Sequence, residues 1–166
     1  MEMNYCPRCG APLRLRPHPT EPPTPYCERC GEYRFPVFSA AVSVILLGAD
    51  QRSMLLIRQY GEADPVLVAG YVDKGETAEQ AVVREVAEEL GMTALRPRFL
   101  GSHYYAPSET LMLNFLATVE EERATPNAEV DDWFWTPVEK ARELVKPGGL
   151  AEELLGDLEA ANAPLL

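Results

Sequence analysis

The stretch from Gly70 to Met92 constrains this chain more than any other part of it. It reads Gly-Tyr-Val-Asp-Lys-Gly-Glu-Thr-Ala-Glu-Gln-Ala-Val-Val-Arg-Glu-Val-Ala-Glu-Glu-Leu-Gly-Met. Thr77 can cap a helix, and Gln80 three residues later completes a capping box. Ala78, Ala81, Val82, Val86 and Leu90 recur at helical spacing as an apolar stripe, and Gly91 suits the left-handed position after the last turn. These features predict a helix over 78–90. Glu85, Glu88 and Glu89 stand at i, i+3 and i+4 and share one face of it. Three like charges there weaken a helix unless something neutralises them. No Lys or Arg follows four residues after any of the three, and Arg84, the only nearby base, is expected on an adjacent face. Two readings stand side by side: a solvated acidic face, or a site for a hard divalent cation such as Mg²⁺ with oxygen ligands.

A second local pattern lies upstream. Cys6-Pro7-Arg8-Cys9-Gly10 and Cys27-Glu28-Arg29-Cys30-Gly31 are two Cys-x-x-Cys-Gly turns with seventeen residues between them. Each turn points two sulfurs at one place, and two turns make a closed tetrahedral Zn²⁺ site with structural rather than catalytic character. The competing reading is a pair of disulfides or a redox couple, which a cytoplasmic chain with doubled knuckles disfavours. Zinc bound by Cys6, Cys9, Cys27 and Cys30 would replace the core that about 35 residues cannot build. Pro17, Pro19, Pro22, Pro23 and Pro25 crowd the connection between the pairs and predict a path without regular structure. The expected division is a zinc ribbon over 1–35 and a mixed α+β domain over 36–166.

Within that domain, Ala41–Leu47 and Met54–Gln59 are apolar runs around the turn Gly48-Ala49-Asp50-Gln51 and predict a hairpin. Further strands are expected at 66–69, 99–105, 110–119 and 133–135. Thr136-Pro137-Val138-Glu139 has the form of a helix start with Thr136 as cap and Pro137 as first helical residue, and another helix is expected after Gly148-Gly149. Apart from the two knuckles the sequence holds no internal repeat.

The 70–92 segment resembles the Nudix signature at Gly70, Glu76, Arg84, Glu85, Val86, Glu88, Glu89, Gly91 and Met92. The resemblance implies a mixed sheet between helices and hydrolysis of a diphosphate bond in a nucleoside diphosphate derivative. It implies that Glu76 and Arg84 form a supporting ion pair, with Gly70 and Gly91 as further supporting positions. It also implies that Glu85, Glu88 and Glu89 are the catalytic carboxylates and hold Mg²⁺, or Mn²⁺. Such ions offset the charge of the diphosphate and activate a water, and Glu85 or Glu88 takes the proton of that water.

A zinc ribbon directly before such a domain resembles the NADH pyrophosphatase branch, whose members also hydrolyse NAD⁺ or remove NAD caps from RNA. That likeness implies NADH or NAD⁺ as substrate, cut to nicotinamide mononucleotide and AMP. It implies metal contacts from the Ala69 carbonyl and from Glu129, and substrate contacts from Phe35. The alternative for Phe35 is packing. Branch members usually carry a further N-terminal domain, and none is expected here. The branch marker Ser-Gln-Pro-Trp-Pro-Phe-Pro-x-Ser is broken here to Ser102-His103-Tyr104-Tyr105-Ala106-Pro107-Ser108-Glu109-Thr110. Tyr104 and Tyr105 could stack on a base or nicotinamide, although strand neighbours face opposite ways and one of them would more simply be core. His103 reads as a packing residue, and Glu120-Glu121-Glu122 as a solvated turn. ADP-ribose is the rival substrate.

Composition enters as a limit on partners. The net charge of −11 disfavours general nucleic-acid binding, while an anionic substrate stays open if metal supplies the positive charge. Arg8, Arg14, Arg16, Arg29 and Arg34 gather near the knuckles, so a ribbon that grips RNA or a protein, beside a Nudix domain that reads a nucleotide without cutting it, is the alternative from another class. Homodimer formation is a further expectation. No apolar run approaches the ~20 residues of a membrane span, and the N-terminus lacks the basic and apolar regions of a signal peptide, so the expected compartment is the cytoplasm.

Overall fold

The computed structural model describes residues 3–160 and divides into two compact units, Met1–Phe38 and Ser39–Leu166. In the first, strands β1 (Arg14–Arg16), β2 (Thr24–Cys27) and β3 (Glu32–Tyr33) form an antiparallel sheet in that order. This departs from the expected irregular path. Pro17, Pro19, Pro22 and Pro23 do fall in the connection, but Pro25 sits inside the central strand opposite Leu15. Proline lacks only the donor; its carbonyl still accepts from the Arg34 amide at 2.7 Å, and the strand survives.

The second unit begins with β4 (Ser39–Leu47), β5 (Ser53–Gln59), β6 (Val68–Tyr71) and helix α1 (Ala78–Leu90). There follow β7 (Leu95–Tyr105), a 3₁₀ turn (Ala106–Ser108), β8 (Thr110–Thr118), β9 (Val130–Pro137), α2 (Val138–Leu144) and α3 (Leu150–Ala160). The sheet runs β7-β8-β4-β5-β9, with β6 also on β4. β4 and β8 are parallel and every other pairing is antiparallel, so the sheet is mixed. β4 gives residues 41–44 to β6 and meets β5 only at Leu47 opposite Met54, which makes the expected hairpin short.

Strand periodicity explains the layers. Val42, Val44 and Leu46 of β4, Leu55 and Ile57 of β5 and Phe115 of β8 pack on one face with Ala81, Val82, Val86 and Leu90 of α1. Their alternates Ile45, Leu47, Met54, Leu56 and Leu116 pack on the other face with Ala141, Leu154, Leu155 and Leu158 of α2 and α3. A sheet apolar on both faces needs cover on both, and the helices supply it. The fold is the expected α+β one, a mixed sheet between helices.

Several boundaries need correction: the strand expected at 99–105 starts at Leu95, and the one expected at 133–135 runs over Val130–Pro137. The strand expected at 66–69 lies at 68–71, and Val66 makes only an isolated bridge to Ile57. Thr136 does not cap a helix: it is buried in β9 opposite Met54, and the strand runs through Pro137. The helix starts at Val138 with no side-chain cap, and the Val138 amide donates to the Arg52 carbonyl at 3.0 Å instead. Tertiary pairing with β5 overrides a local pattern of the right form. Among the described residues no helix is long and apolar enough to cross a membrane.

Candidate active site

Helix α1 carries the carboxylates, and both its ends are fixed by the sequence that predicted it. The Thr77 hydroxyl accepts from the Gln80 amide, and the Gln80 side chain accepts from the Thr77 amide. Gly91 closes the helix at φ 64° and donates to the Ala87 carbonyl. A Cβ there would press on the Thr125 carbonyl. The loop beyond β8 completes the cap. The Thr125 amide donates to the Leu90 carbonyl at 2.7 Å, and the Asn127 amide to that of Glu89 at 2.9 Å. The loop that bears Glu129 is thereby tied to the last turn of α1.

Arg84 is the hub of this face. Its Nε and Nη2 donate to the two oxygens of Glu76, each at 2.9 Å, and Nη2 also donates to the Tyr71 carbonyl. Nη1 donates to Glu85 at 2.7 Å and to Glu88 at 3.1 Å. From the adjacent face expected for it, the long side chain of Arg84 reaches round and neutralises two of the three glutamates, Glu85 and Glu88. Glu76, bonded by Arg84 and by the Asp73 amide, is held below the usual carboxylate range. Burial raises Glu85, against the pull of Arg84. Gly70 accounts for how close Glu85 can come to β6: a Cβ at Gly70 would collide with the Glu85 carboxylate. Ala69, the preceding residue, pairs with Ser43 of β4.

Glu89 differs from its neighbours. It is 4% exposed and its Oε2 has no hydrogen-bond partner. Burial pushes its carboxyl up to about 7, the charges of Glu85, Glu129 and Glu88 push the same way, and a hydrogen bond from Gln59 opposes them. A buried oxygen without a partner among like charges is costly. An oxygen-seeking cation would satisfy it, so the donor set fits Mg²⁺ or Mn²⁺. These carboxylate oxygens are not drawn together: among the described residues only the four cysteines converge within 4.8 Å as a group of three or more metal-ligating side chains.

Sequence reasoning missed the turn after β5. Glu129 accepts from the Tyr60 phenol at 3.2 Å, and Asp131 accepts from the Gly61 amide at 2.7 Å. The hydrogen bond to Glu129 raises the Tyr60 phenol, with burial and the charges of Glu129, Glu89 and Glu85 adding to it. The only sequence sign of this turn is a Tyr-Gly pair closing an apolar run.

Of the other predicted substrate residues, Tyr104 and Tyr105 take no part in these bonds. Tyr104 and Tyr105 are 58% and 38% exposed, so neither is core, contrary to the expectation from strand alternation. Among the described residues neither hydrogen-bonds to or stacks on a group of the carboxylate site. His103 faces α3, with Nδ1 at 3.9 Å from Glu153, which suits packing. Glu122 is not merely a solvated turn, since it accepts from the Ala49 amide at 3.2 Å. Phe35, in the first unit, is 55% exposed and meets His18 edge-on with ring centroids 5.9 Å apart.

The cysteines of the first unit are free of disulfides and gather from two matching turns. Gly10 (φ 72°) and Gly31 (φ 70°) close them in the left-handed region and donate to the Cys6 and Cys27 carbonyls. Cys6 and Cys30 sulfurs lie 3.9 Å apart, and those of Cys9 and Cys27 3.5 Å. Zn–S bonds of about 2.3 Å give tetrahedral edges of about 3.8 Å, so the cluster fits zinc. Burial opposes ionisation of Cys6, but Arg34 and backbone amides bring it to about 6, whereas bonding to Cys9 pushes Cys30 up to about 12. Four thiolates cannot share this space without a cation. The arginines here are less available than their number suggests: Arg8 and Arg34 pair with Glu32, Arg34 also donates to the Cys6 sulfur, and Arg16 lies over the Tyr26 ring.

A mixed sheet between helices, with an arginine-organised set of glutamates on one of them, defines the class of the Nudix hydrolases. The NUDIX domain matches residues 37–154, and the chain belongs to that family. It is 28% identical over 152 residues to the NAD-capped RNA hydrolase NudC of Stutzerimonas stutzeri, covering 91% of this chain and 54% of that protein. The NudC of Photobacterium profundum is also 28% identical, over 79% of this chain and 50% of its own. The chain thus spans about half the length of these curated relatives. Among solved structures, a NUDIX hydrolase from Nitrosomonas europaea superposes with a TM-score of 0.67 at 19% identity, covering 95% of this chain and 89% of that one. The NUDIX domain of Shewanella oneidensis NrtR, solved with ADP ribose, gives 0.64 at 18%, covering 83% and 94%. At such identities the two structures speak to the fold alone.

Proposed function

We propose that this chain hydrolyses the diphosphate bond of a nucleoside diphosphate derivative with the help of Mg²⁺ or Mn²⁺. The observation that carries the reading is the buried, unpartnered oxygen of Glu89, set among Glu85, Glu88 and Glu129 on a helix organised by Arg84. Glu85, Glu88, Glu89 and Glu129, with the Ala69 carbonyl, would hold the cation. Once bound, it supplies positive charge to the diphosphate and makes a water nucleophilic at neutral pH. Glu85 or Glu88 then accepts the proton of that water, and the Glu76–Arg84 pair keeps both carboxylates in place. Zinc in the ribbon is structural.

NADH or NAD⁺, cut to nicotinamide mononucleotide and AMP, is our first substrate, because relatives named as NAD-capped RNA hydrolases match this chain over 152 residues, 91% of it. An NAD-capped RNA end belongs to the same reading. ADP-ribose is the second reading, favoured by the broken marker at 102–110, where Tyr104 and Tyr105 stand exposed. The test is kcat/KM for NADH against ADP-ribose, with products identified by mass. A preference for ADP-ribose of tenfold or more, about 1.4 kcal/mol in transition-state stabilisation, overturns the dinucleotide assignment. Absence of any diphosphate cleavage at saturating Mg²⁺ and Mn²⁺ overturns the hydrolase reading itself.

A further inference from the structure

The turn that follows β5 contradicts local preference. The Glu62 amide donates to the Gln59 carbonyl at 3.0 Å, and the two residues between them, Tyr60 (φ 56°) and Gly61 (φ 75°), are both left-handed. That is a type I′ turn, whose first central position favours Asn, Asp or Gly. A bulky aromatic there is a genuine outlier, with a cost on the order of 1–3 kcal/mol. Burial does not offset it, because Tyr60 is 71% exposed. The hydroxyl does have a partner: it donates to Glu129 Oε2 at 3.2 Å.

The neighbours of Tyr60 make the same kind of contact. Arg58 Nη1 donates to Asp132 at 2.6 Å, and the Gly61 amide donates to Asp131 at 2.7 Å. Arg58, Tyr60 and Gly61 thus reach three carboxylates, Asp132, Glu129 and Asp131. The β5–β9 ladder allows it. Its register shifts between Arg58 opposite Asp132 and Gln59 opposite Val130, so Asp131 is the extra residue of a bulge. Bulges re-aim side chains and gather beside active sites. Glu129 lies just ahead of this bulge, on a loop otherwise tied to α1 through Asn127.

We propose that Tyr60 is a positioning residue of the active site, whose phenol fixes Glu129 beside Glu85 and Glu89 and so strengthens the site's hold on its divalent cation. This rests on the metal site of the proposed function. Locally costly residues persist where the function they serve compensates for them. A hydroxyl at this position accounts for an exposed, left-handed tyrosine that packing leaves unexplained.

The test uses the full chain with Mn²⁺ as probe, its free concentration followed by electron paramagnetic resonance. Tyr60→Phe keeps the ring and the strain but removes the donor, and we expect Mn²⁺ to bind about 3- to 10-fold more weakly. Tyr60→Asn removes both, so it binds Mn²⁺ as weakly as Tyr60→Phe while its metal-free Tm rises above that of wild type. In the Glu129→Gln background Tyr60→Phe causes no further weakening, because the phenol acts through that carboxylate. Turnover of Tyr60→Phe recovers at saturating Mn²⁺. Wild-type Mn²⁺ affinity in Tyr60→Phe, with binding lost in Glu89→Gln, overturns the role of Tyr60 alone. Wild-type affinity in both variants overturns the metal site and this proposal with it.

Discussion

Glu89 sets function against stability, and replacing it by glutamine in the metal-free protein measures the conflict. A glutamate carboxyl ionises near 4.5 when exposed, and in this fold burial and the charges of Glu85 and Glu129 push that of Glu89 up to about 7. A folded state that holds the proton more tightly than the unfolded one loses stability as pH rises through the interval between the two values. At 1.36 kcal/mol per pH unit, the interval from 4.5 to about 7 amounts to about 3 kcal/mol once Glu89 is fully ionised. The amide of Glu89→Gln has a desolvation cost of its own, on the order of 1–2 kcal/mol, which leaves a net gain of about 1–2 kcal/mol. For a chain of 166 residues this corresponds to roughly 2–8 °C in Tm. Thermal denaturation in chelator should therefore show Glu89→Gln more stable than wild type at pH 8, with the advantage gone by pH 4.5. In Mg²⁺ or Mn²⁺ the order reverses, because the cation stabilises only the site that binds it. Turnover should fall by at least ~10²-fold. A metal-free variant less stable than wild type at pH 8, or two pH profiles that run parallel, would refute the reasoning.

Glu76→Gln removes the bidentate partner of Arg84. It should lower Tm at pH 7 and reduce kcat less than Glu89→Gln does. Because Arg84 depresses Glu76, the stability it confers is present above the unfolded value and lost as pH falls, so the two Tm curves should converge below about pH 4.5; a constant gap down to pH 2 counts against the pair. Cys27→Ser replaces a fully buried zinc-fitting thiol: elemental analysis should fall from one zinc per chain to none, with the ribbon unfolded and the domain from about residue 36 still folded. Zinc-free wild-type protein purified without chelators would contradict this. If Tyr104 or Tyr105 stacks on nicotinamide, alanine at one of them should lower kcat/KM for NADH several-fold more than for ADP-ribose, since a stack is worth about 1–3 kcal/mol per base. Equal losses on both substrates argue against stacking.

How much of this was legible in the sequence follows from the range of each interaction. Helix α1 was read to the residue, because its cap, stripe and terminal glycine all lie within one segment and agree. The knuckles were legible for the same reason, each turn being five residues long. Thr136-Pro137 shows the opposite case: a correct local pattern was overridden because β5 lies alongside and takes both residues into a strand. The reach of Arg84 is not legible in the same way, because helical spacing locates Cα atoms, whereas a guanidinium on a long stem joins Glu76 eight positions back with Glu85 and Glu88 ahead. The alternation rule failed for Tyr104 and Tyr105 because it decides which face of a strand a residue takes, not whether anything covers that face. β7 is an edge strand, and its C-terminal end carries both side chains into the open.

The turn at 59–62 was illegible for a deeper reason. Tyr60 meets Glu129 across 69 residues of sequence, and Gly61 meets Asp131 across 70. Neither pairing exists until β5 and β9 are in register, and the bulge that supplies Asp131 is a property of that register rather than of either strand. Local preference argued only against a tyrosine at a left-handed position. Such a conflict between local preference and observed residue is itself informative once the fold is known. The sequence is locally consistent along α1, where the carboxylates are presented. It is inconsistent at Tyr60, where one of them is steadied from outside the helix. What marks the second place is the combination of a left-handed backbone that tyrosine disfavours and a phenol that donates to Glu129.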